Sequence, residues 1–298
     1  MIFAGNRLYS LKSHKVLAQI LDIPLLDLRS FTKNTDSNYQ VFEMIKNGKS
    51  RVVQNPKPEL KSIHKKLKNI LGDIKLPIYV HSGSKGRSYK GNAQAHVGNK
   101  YVTTMDIEKF FPSCLENLVW KFFKNKMNMA PDVAQTLSKI CCYRGHIPTG
   151  SPISLMLAYL INAELFDSIH SEAEKIGQTF TLYVDDMTFS SNRKKIARTS
   201  HLHINKVINR NGLRLKKSKV VYFNADENKV ITGCLVSTDG VLRATNKLKK
   251  KLFLPLKSRN ISELTEKEIR SLYGRVHSVR FVEQGSLSDL KQKVEEVL

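Results

Sequence analysis

Apolar residues at Leu60, Ile63, Leu67, Ile70 and Leu71, with lysines between them, follow the spacing of one helix face and predict an amphipathic, basic helix over 59–71. A second helix is predicted over 153–169, where Leu155, Ala158, Tyr159, Asn162, Leu165, Phe166 and Ile169 share a broad face. Ser151 reads as its N-cap and Pro152 as its first helical residue, and the amides of such a start form a ready anion site. Short β-prone runs lie between the helices. Arg51-Val52-Val53-Gln54 is one, stopped by Asn55-Pro56-Lys57-Pro58, and residues 101–106 are another. Thr181-Leu182-Tyr183-Val184 and Met187-Thr188-Phe189-Ser190 flank Asp185-Asp186 and read as a hairpin with the two aspartates at its centre. Strands are also expected near 219–223 and 229–236. Residues 8–48 read as a small helical region, 115–145 as helices with a turn at 128–131, 193–210 as a basic helix, and 245–298 as a helical module.

The hairpin centre is chemically unusual. Tight two-residue turns favour Asn-Gly or Asp-Gly, which tolerate positive φ, whereas two aspartates concentrate like charge on a rigid tip. An isolated Asp-Asp pair is most often a solvated turn. Here, however, the run Tyr101-Val102-Thr103-Thr104-Met105 also ends in a carboxylate, Asp106, followed by Ile107-Glu108-Lys109-Phe110-Phe111-Pro112-Ser113. Two strands that each end in a carboxylate and lie side by side make a hard-cation site. Magnesium takes few carboxylates and keeps its other positions for water and substrate phosphate. Two such ions about 3.5–4 Å apart clamp in-line phosphoryl transfer.

Charge adds a partner class. The 298 residues carry 49 Lys and Arg against 26 Asp and Glu, a net charge of +23, with 41% hydrophobic positions to build a core. A surplus this large implies a polyanionic partner, nucleic acid before an anionic membrane, because the basic residues are spread along the chain rather than gathered on one long amphipathic helix. No apolar run approaches about 18 residues, and the N-terminal residues lack a secretory pattern. Cys114, Cys141, Cys142 and Cys234 show no CxxC spacing, and read as free thiols suited to the cytoplasm. His201-Leu202-His203 has no partner cluster and reads as plain surface. Residues 82–91 form a glycine-rich loop in which Lys85 and Arg87 could meet phosphate, but without the placement of a P-loop.

Taken in order, these motifs resemble those of bacterial reverse transcriptases of the retron type. Tyr183-Val184-Asp185-Asp186 resembles the Y-x-D-D palm motif, and Asp106 through Phe110-Phe111 the first palm motif. Ile147-Pro148-Thr149-Gly150-Ser151-Pro152 resembles the L-P-Q-G-x-P loop, with Thr149 in place of the usual Gln and Leu155 where a second proline is common. Residues 212–219 are similar to the next motif, which ends in a lysine. Asn92-Ala93-Gln94-Ala95-His96 and Ile231-Thr232-Gly233 resemble the retron N-A-x-x-H and V-T-G signatures, and Leu272-Tyr273-Gly274-Arg275 the thumb motif.

The resemblance implies an α+β, right-hand polymerase: an N-terminal helical region and fingers (1–100), a palm of antiparallel sheet plus helices (101–236, with a helical insertion at 115–145), and an RNA-binding thumb (237–298). It implies RNA-directed DNA synthesis with two magnesium ions (manganese as substitute) on Asp106, Asp185, Asp186 and the Ile107 carbonyl. Arg51, Lys85, Arg87, Phe111, Thr149, Gly150 and Lys219 would contact the deoxynucleoside triphosphate. Phe111 would exclude the ribose 2′-hydroxyl, and Lys219 would donate a proton to pyrophosphate. Asn92, Ala93, His96, Ile231, Thr232 and Gly233 carry the signatures tied to RNA binding. The implied partners are a cognate structured RNA, its RNA–DNA product primed from a guanosine 2′-hydroxyl, and a separately encoded effector in phage defence, with no membrane. An untemplated DNA polymerase and a catalytically idle RNA-binding scaffold are the alternatives.

Overall fold

A computed structural model describes residues 2–46 and 48–298. The helices are α1 (His14–Leu21), α2 (Leu25–Lys33), α3 (Pro58–Leu71), α4 (Tyr89–Gln94), α5 (Phe110–Ser113), α6 (Glu116–Lys121), α7 (Pro131–Cys141), α8 (Ser154–Ile161), α9 (Ala163–Lys175), α10 (Lys194–Arg210), α11 (Asn246–Phe253), α12 (Glu266–Val282) and α13 (Ser288–Glu295). The strands are β1 (Tyr39–Lys46), β2 (Lys49–Pro56), β3 (Tyr101–Asp106), β4 (Thr179–Tyr183), β5 (Asp186–Ser191), β6 (Val221–Phe223), β7 (Lys229–Ile231), β8 (Cys234–Val236) and β9 (Leu242–Ala244). Among the described residues, no helix is long and apolar enough to cross a membrane.

Two compact units share the chain discontinuously, so neither coincides with the three consecutive domains expected from the sequence. The first comprises residues up to 86, 107–172 and 202–216. Its helix α3 buries Leu60, Ile63, Leu67, Ile70 and Leu71 as the spacing predicts, and Pro58 opens it at a position where a missing N–H costs nothing. Each such fully buried aliphatic side chain contributes roughly 1.5–3 kcal/mol. Cys114, Cys141 and Cys142 are buried free thiols in this core. Two expectations are corrected here. Residues 39–46 are a strand, β1, paired antiparallel with β2 rather than helical. The sequence does carry the signal, an Asn-Gly dipeptide at 47–48 between β-prone runs. The helix expected over 153–169 is broken at Asn162, whose side chain turns back to the Ala158 carbonyl (2.9 Å) and divides it into α8 and α9.

The second unit comprises residues 87–106, 173–201 and 217–298. Its main sheet has the order β4-β5-β3-β6, every pairing antiparallel. A smaller sheet, β7-β8-β9, follows. Against it lies an apolar cluster that includes Ile231, Cys234 and Val236 from the strands and Leu252, Leu272, Val276, Val279 and Val294 from α11, α12 and α13. Helix α12 begins with a reciprocal capping box between Thr265 and Glu268, which satisfies donors at both positions.

Candidate active site

The second unit's main sheet carries the carboxylates. In the β3–β5 register, Asp106 is directly opposite Asp186, and cross-strand partners project from the same face with Cβ atoms about 4.5–5.5 Å apart. Tyr183 pairs with Asp186 across β4 and β5, so the two-residue loop is Val184-Asp185. The expected centre, Asp185-Asp186, is therefore corrected by one residue: Asp186 belongs to the strand and Asp185 to the loop. The reason is visible in the backbone. Val184 takes a φ of 62°, a region that a β-branched residue enters only at a cost of about 1–3 kcal/mol. With Val184 in the loop, Asp186 stands in register with Asp106.

Negative charge is concentrated at the site. Asp106 is 5% exposed and Asp186 is half-buried. Burial, then the neighbouring Asp185 and Asp106 charges, pushes the Asp186 carboxyl up to about 7, and a hydrogen bond joins it to Asp106. Lys219 opposes this rise and forms an ion pair with the Asp106 Oδ2. For Lys219 itself, burial disfavours the ammonium, but the hydrogen bond to Asp106 and the three aspartates outweigh it and raise its pKa.

These residues fit a divalent cation. The donors are hard carboxylate oxygens, and the raised Asp186 carboxyl reflects the cost of burying and crowding negative charge there without a cation. Among the described residues no three or more His, Cys, Asp or Glu form a ready cage of protein ligands. A magnesium site needs none, since it is completed by water and substrate phosphate. Ile107 is buried (1%) and bridged to Leu215 in the first unit.

Beside the carboxylates is a cavity of about 360 Å³, lined by Asp106, Asp186, Tyr183, Lys219, Thr232 and Gly233 among others. The sheet supplies one wall and the β7–β8 turn another. Thus Lys219, Thr232 and Gly233 line the same cavity as Asp106 and Asp186. Asn92, Ala93, His96 and Ile231 do not: all four are 0% exposed, which removes them from direct contact with RNA in this structure. His96 instead bonds Ser190 Oγ through Nδ1 and Thr181 Oγ1 through Nε2, both at 2.7 Å. The participation of Thr181 and Ser190 was not anticipated. Hydroxyls at inward-facing strand positions are the signal that could have found them. Arg87 is half-buried in the same unit.

The remaining nucleotide-contact residues lie in the first unit. Arg51 and Lys85 are exposed there, and Phe111 is half-buried beside the core residue Phe110. Thr149 donates its hydroxyl to the Val52 carbonyl (2.9 Å) and Gln54 Oε1 (2.8 Å), so the residue that replaces the usual glutamine fastens its loop to β2. Ser151 is not an N-cap. Its hydroxyl meets His64 Nδ1 at 2.6 Å while His64 Nε2 donates to the Ile140 carbonyl (2.8 Å), and α8 starts only at Ser154. Burial holds His64 down at about 4, so the ring is neutral and accepts from Ser151. The amides of Ile153 and Ser154 bond Ser151 itself, which removes them from the expected anion site. Gly150 packs closely on β2: a Cβ there would lie 2.6 Å from the Gln54 carbonyl oxygen. Gly150→Ala is expected to destabilise by about 1–3 kcal/mol, measured as a lower midpoint in urea unfolding. An unchanged midpoint would mean the loop is not clamped as described.

An antiparallel sheet in an α+β frame, with acidic ends on adjoining strands, is the architecture of right-hand polymerases. A solved telomerase from Candida albicans, in complex with a fragment of telomeric RNA, has the same fold (TM-score 0.53, 12% identity, 87% of this chain and 56% of that one). The model of the reverse transcriptase (RNA-dependent DNA polymerase) family matches residues 33–233, and the chain belongs to that family. Its relatives are of the retron type. It is 29% identical to the retron Ec86 reverse transcriptase of Escherichia coli over 218 residues, 72% of this chain and 68% of that protein. It is 32% identical to the retron Se72 reverse transcriptase of Salmonella heidelberg over 194 residues, 64% of this chain and 50% of that protein. The match thus spans about two thirds of the first relative and half of the second.

Proposed function

We propose that the protein copies part of a cognate structured RNA into single-stranded DNA, starting from a guanosine 2′-hydroxyl of that RNA, and that the branched product serves with a separately encoded effector in phage defence. The observation that carries the polymerase reading is the Asp106–Asp186 cross-strand pair beside a cavity of about 360 Å³. The retron relatives support the RNA template and the product class. Net charge of +23 supports a nucleic-acid partner held largely through its backbone.

In this reading Asp106, Asp186 and Asp185 hold two magnesium ions, with manganese as a substitute. When bound, the ions supply Lewis-acid activation of the attacking hydroxyl and charge neutralisation at the triphosphate. The chain's own residues do the rest. Asp186, whose carboxyl is pushed up to about 7 by burial and the neighbouring aspartates, would lose its proton as a cation binds. Lys219, held charged at Nζ by the aspartates, would donate a proton to the departing pyrophosphate. Phe111, Arg51, Lys85, Arg87, Thr149 and Gly150 select and hold the deoxynucleoside triphosphate.

The test is isolation of the nucleic acid that co-purifies with the full chain, alongside the Asp185→Ala variant. A 2′,5′-branched RNA–DNA species from wild type, absent from D185A, is the expected result. RNA without attached DNA would contradict it, and product formation that survives prior RNase treatment of the template would point to untemplated synthesis.

A further inference from the structure

Thr232 and Gly233, which line the cavity, form the turn joining β7 to β8 where Ile231 pairs with Cys234. Both residues have positive φ, 46° and 87°, the sign pattern of a type I′ turn. Glycine enters that region freely, but a β-branched threonine does so only when its surroundings hold it there. What holds it is a short helix distant in sequence. The Thr232 hydroxyl donates to the Tyr89 carbonyl at 3.0 Å and accepts from Asn92 Nδ2 at 3.3 Å, a partner 140 residues away in the chain.

Asn92 is an expensive residue in that position. It is 0% exposed, and its Oδ1 has no hydrogen-bond partner among the described residues. A buried, unsatisfied acceptor costs about 1–3 kcal/mol, so a purely packing role would be filled better by an apolar side chain. Only the donor end of the amide is in use, and it is used on Thr232. Four residues further on, His96 bonds the hydroxyls of Thr181 on β4 and Ser190 on β5, the hairpin that carries Asp185 and Asp186. Residues 89–96 therefore hold two of the elements that line the cavity: the aspartate hairpin through His96, and the β7–β8 turn through Asn92 and the Tyr89 carbonyl.

We propose that Asn92 and Thr232 are positioning residues: their hydrogen bond fixes the Thr232–Gly233 turn at the width at which a nucleic-acid strand end seats against Asp106 and Asp186. The two sequence signatures at 92–96 and 231–233 are then halves of one device. This rests on the polymerase reading above, and it adds which residues set the fit of the strand end.

The test is steady-state extension of a DNA primer annealed to a homopolymeric RNA template by the full chain, comparing wild type, Thr232→Val and Thr232→Ser. Valine preserves shape and loses both hydrogen bonds, whereas serine preserves both. T232V is expected to raise KM for the primer–template by about tenfold, with kcat within about threefold and KM for the nucleotide unchanged, and T232S to stay within about twofold of wild type. Should T232V not fold, Asn92→Ala is measured in its place, with the same expected shift. The proposal is overturned if KM for the primer–template is unchanged, if the loss falls on kcat alone, or if T232S behaves like T232V. Extension by wild type with no such shift defeats the clasp alone. No extension by wild type defeats the polymerase reading and the clasp with it.

Discussion

Replacing Asp106 by asparagine is expected to lower DNA synthesis by at least about 10²–10³-fold while leaving the fold in place. The side chain keeps its shape and loses the charge on which the site depends. Asp106 is the most buried of the three carboxylates in charge terms, with its side chain 7% exposed and Lys219 ion-paired to it. Removing one partner of a buried ion pair is costly when the other is trapped. Lys219 is not trapped, since its side chain is 47% exposed and Asp186 and Asp185 remain close enough to act on it. The Asp186 carboxyl would also lose a repelling neighbour and fall from its raised value near 7. The thermal midpoint should therefore move little while activity disappears. Single-turnover extension and a melting curve on the same preparation check both halves. Residual activity above about a tenth of wild type would show that the β3 carboxylate is not part of the reacting centre.

His96→Ala should have the larger effect on stability, a loss of about 3–5 kcal/mol. The ring is fully buried and bonds two buried hydroxyls, so its removal opens a cavity and leaves Thr181 short of a partner and Ser190 with fewer. Asn99 Nδ2 still reaches Ser190 Oγ at 2.8 Å, which keeps the cost below that of two wholly abandoned hydroxyls. Urea unfolding measures the loss. A role in direct RNA contact makes the opposite forecast: unchanged stability with weakened RNA binding. Observing that combination would return His96 to the nucleic-acid surface.

Much of the site could be read from residue patterns because it is local. Asp106 and the Asp185-Asp186 pair lie at the ends of β-prone runs, and a strand end is a short-range property. The error of one residue at the hairpin came from Val184, which propensity assigns to a strand and which the fold forces into the loop. Ser151 failed as an N-cap for a different reason. Its hydroxyl still accepts from the Ile153 amide but also donates to His64, 87 residues away, and the helix begins only at Ser154, which no local rule anticipates. Asn92 and His96 were legible as motifs but not in their roles, since those depend on partners far along the chain, Thr232 for Asn92 and Thr181 and Ser190 for His96. In the β1–β2 hairpin the β2 half is legible as the run 51–54, whereas the apolar residues at 41, 42, 44 and 45 invite a helical reading of β1.

The chain crosses between its two compact units five times, after residues 86, 106, 172, 201 and 216. A fragment cut at 100, or at 236, would carry parts of one unit without the strands or helices that complete it. Asp106 and Asp186 would be parted by the first cut from the α4 segment that braces them. For anyone dividing this polymerase into pieces for reconstitution, tagging or a split reporter, consecutive fragments are the wrong currency. Insertions at exposed turns leave both units whole, and so does circular permutation where the termini allow it.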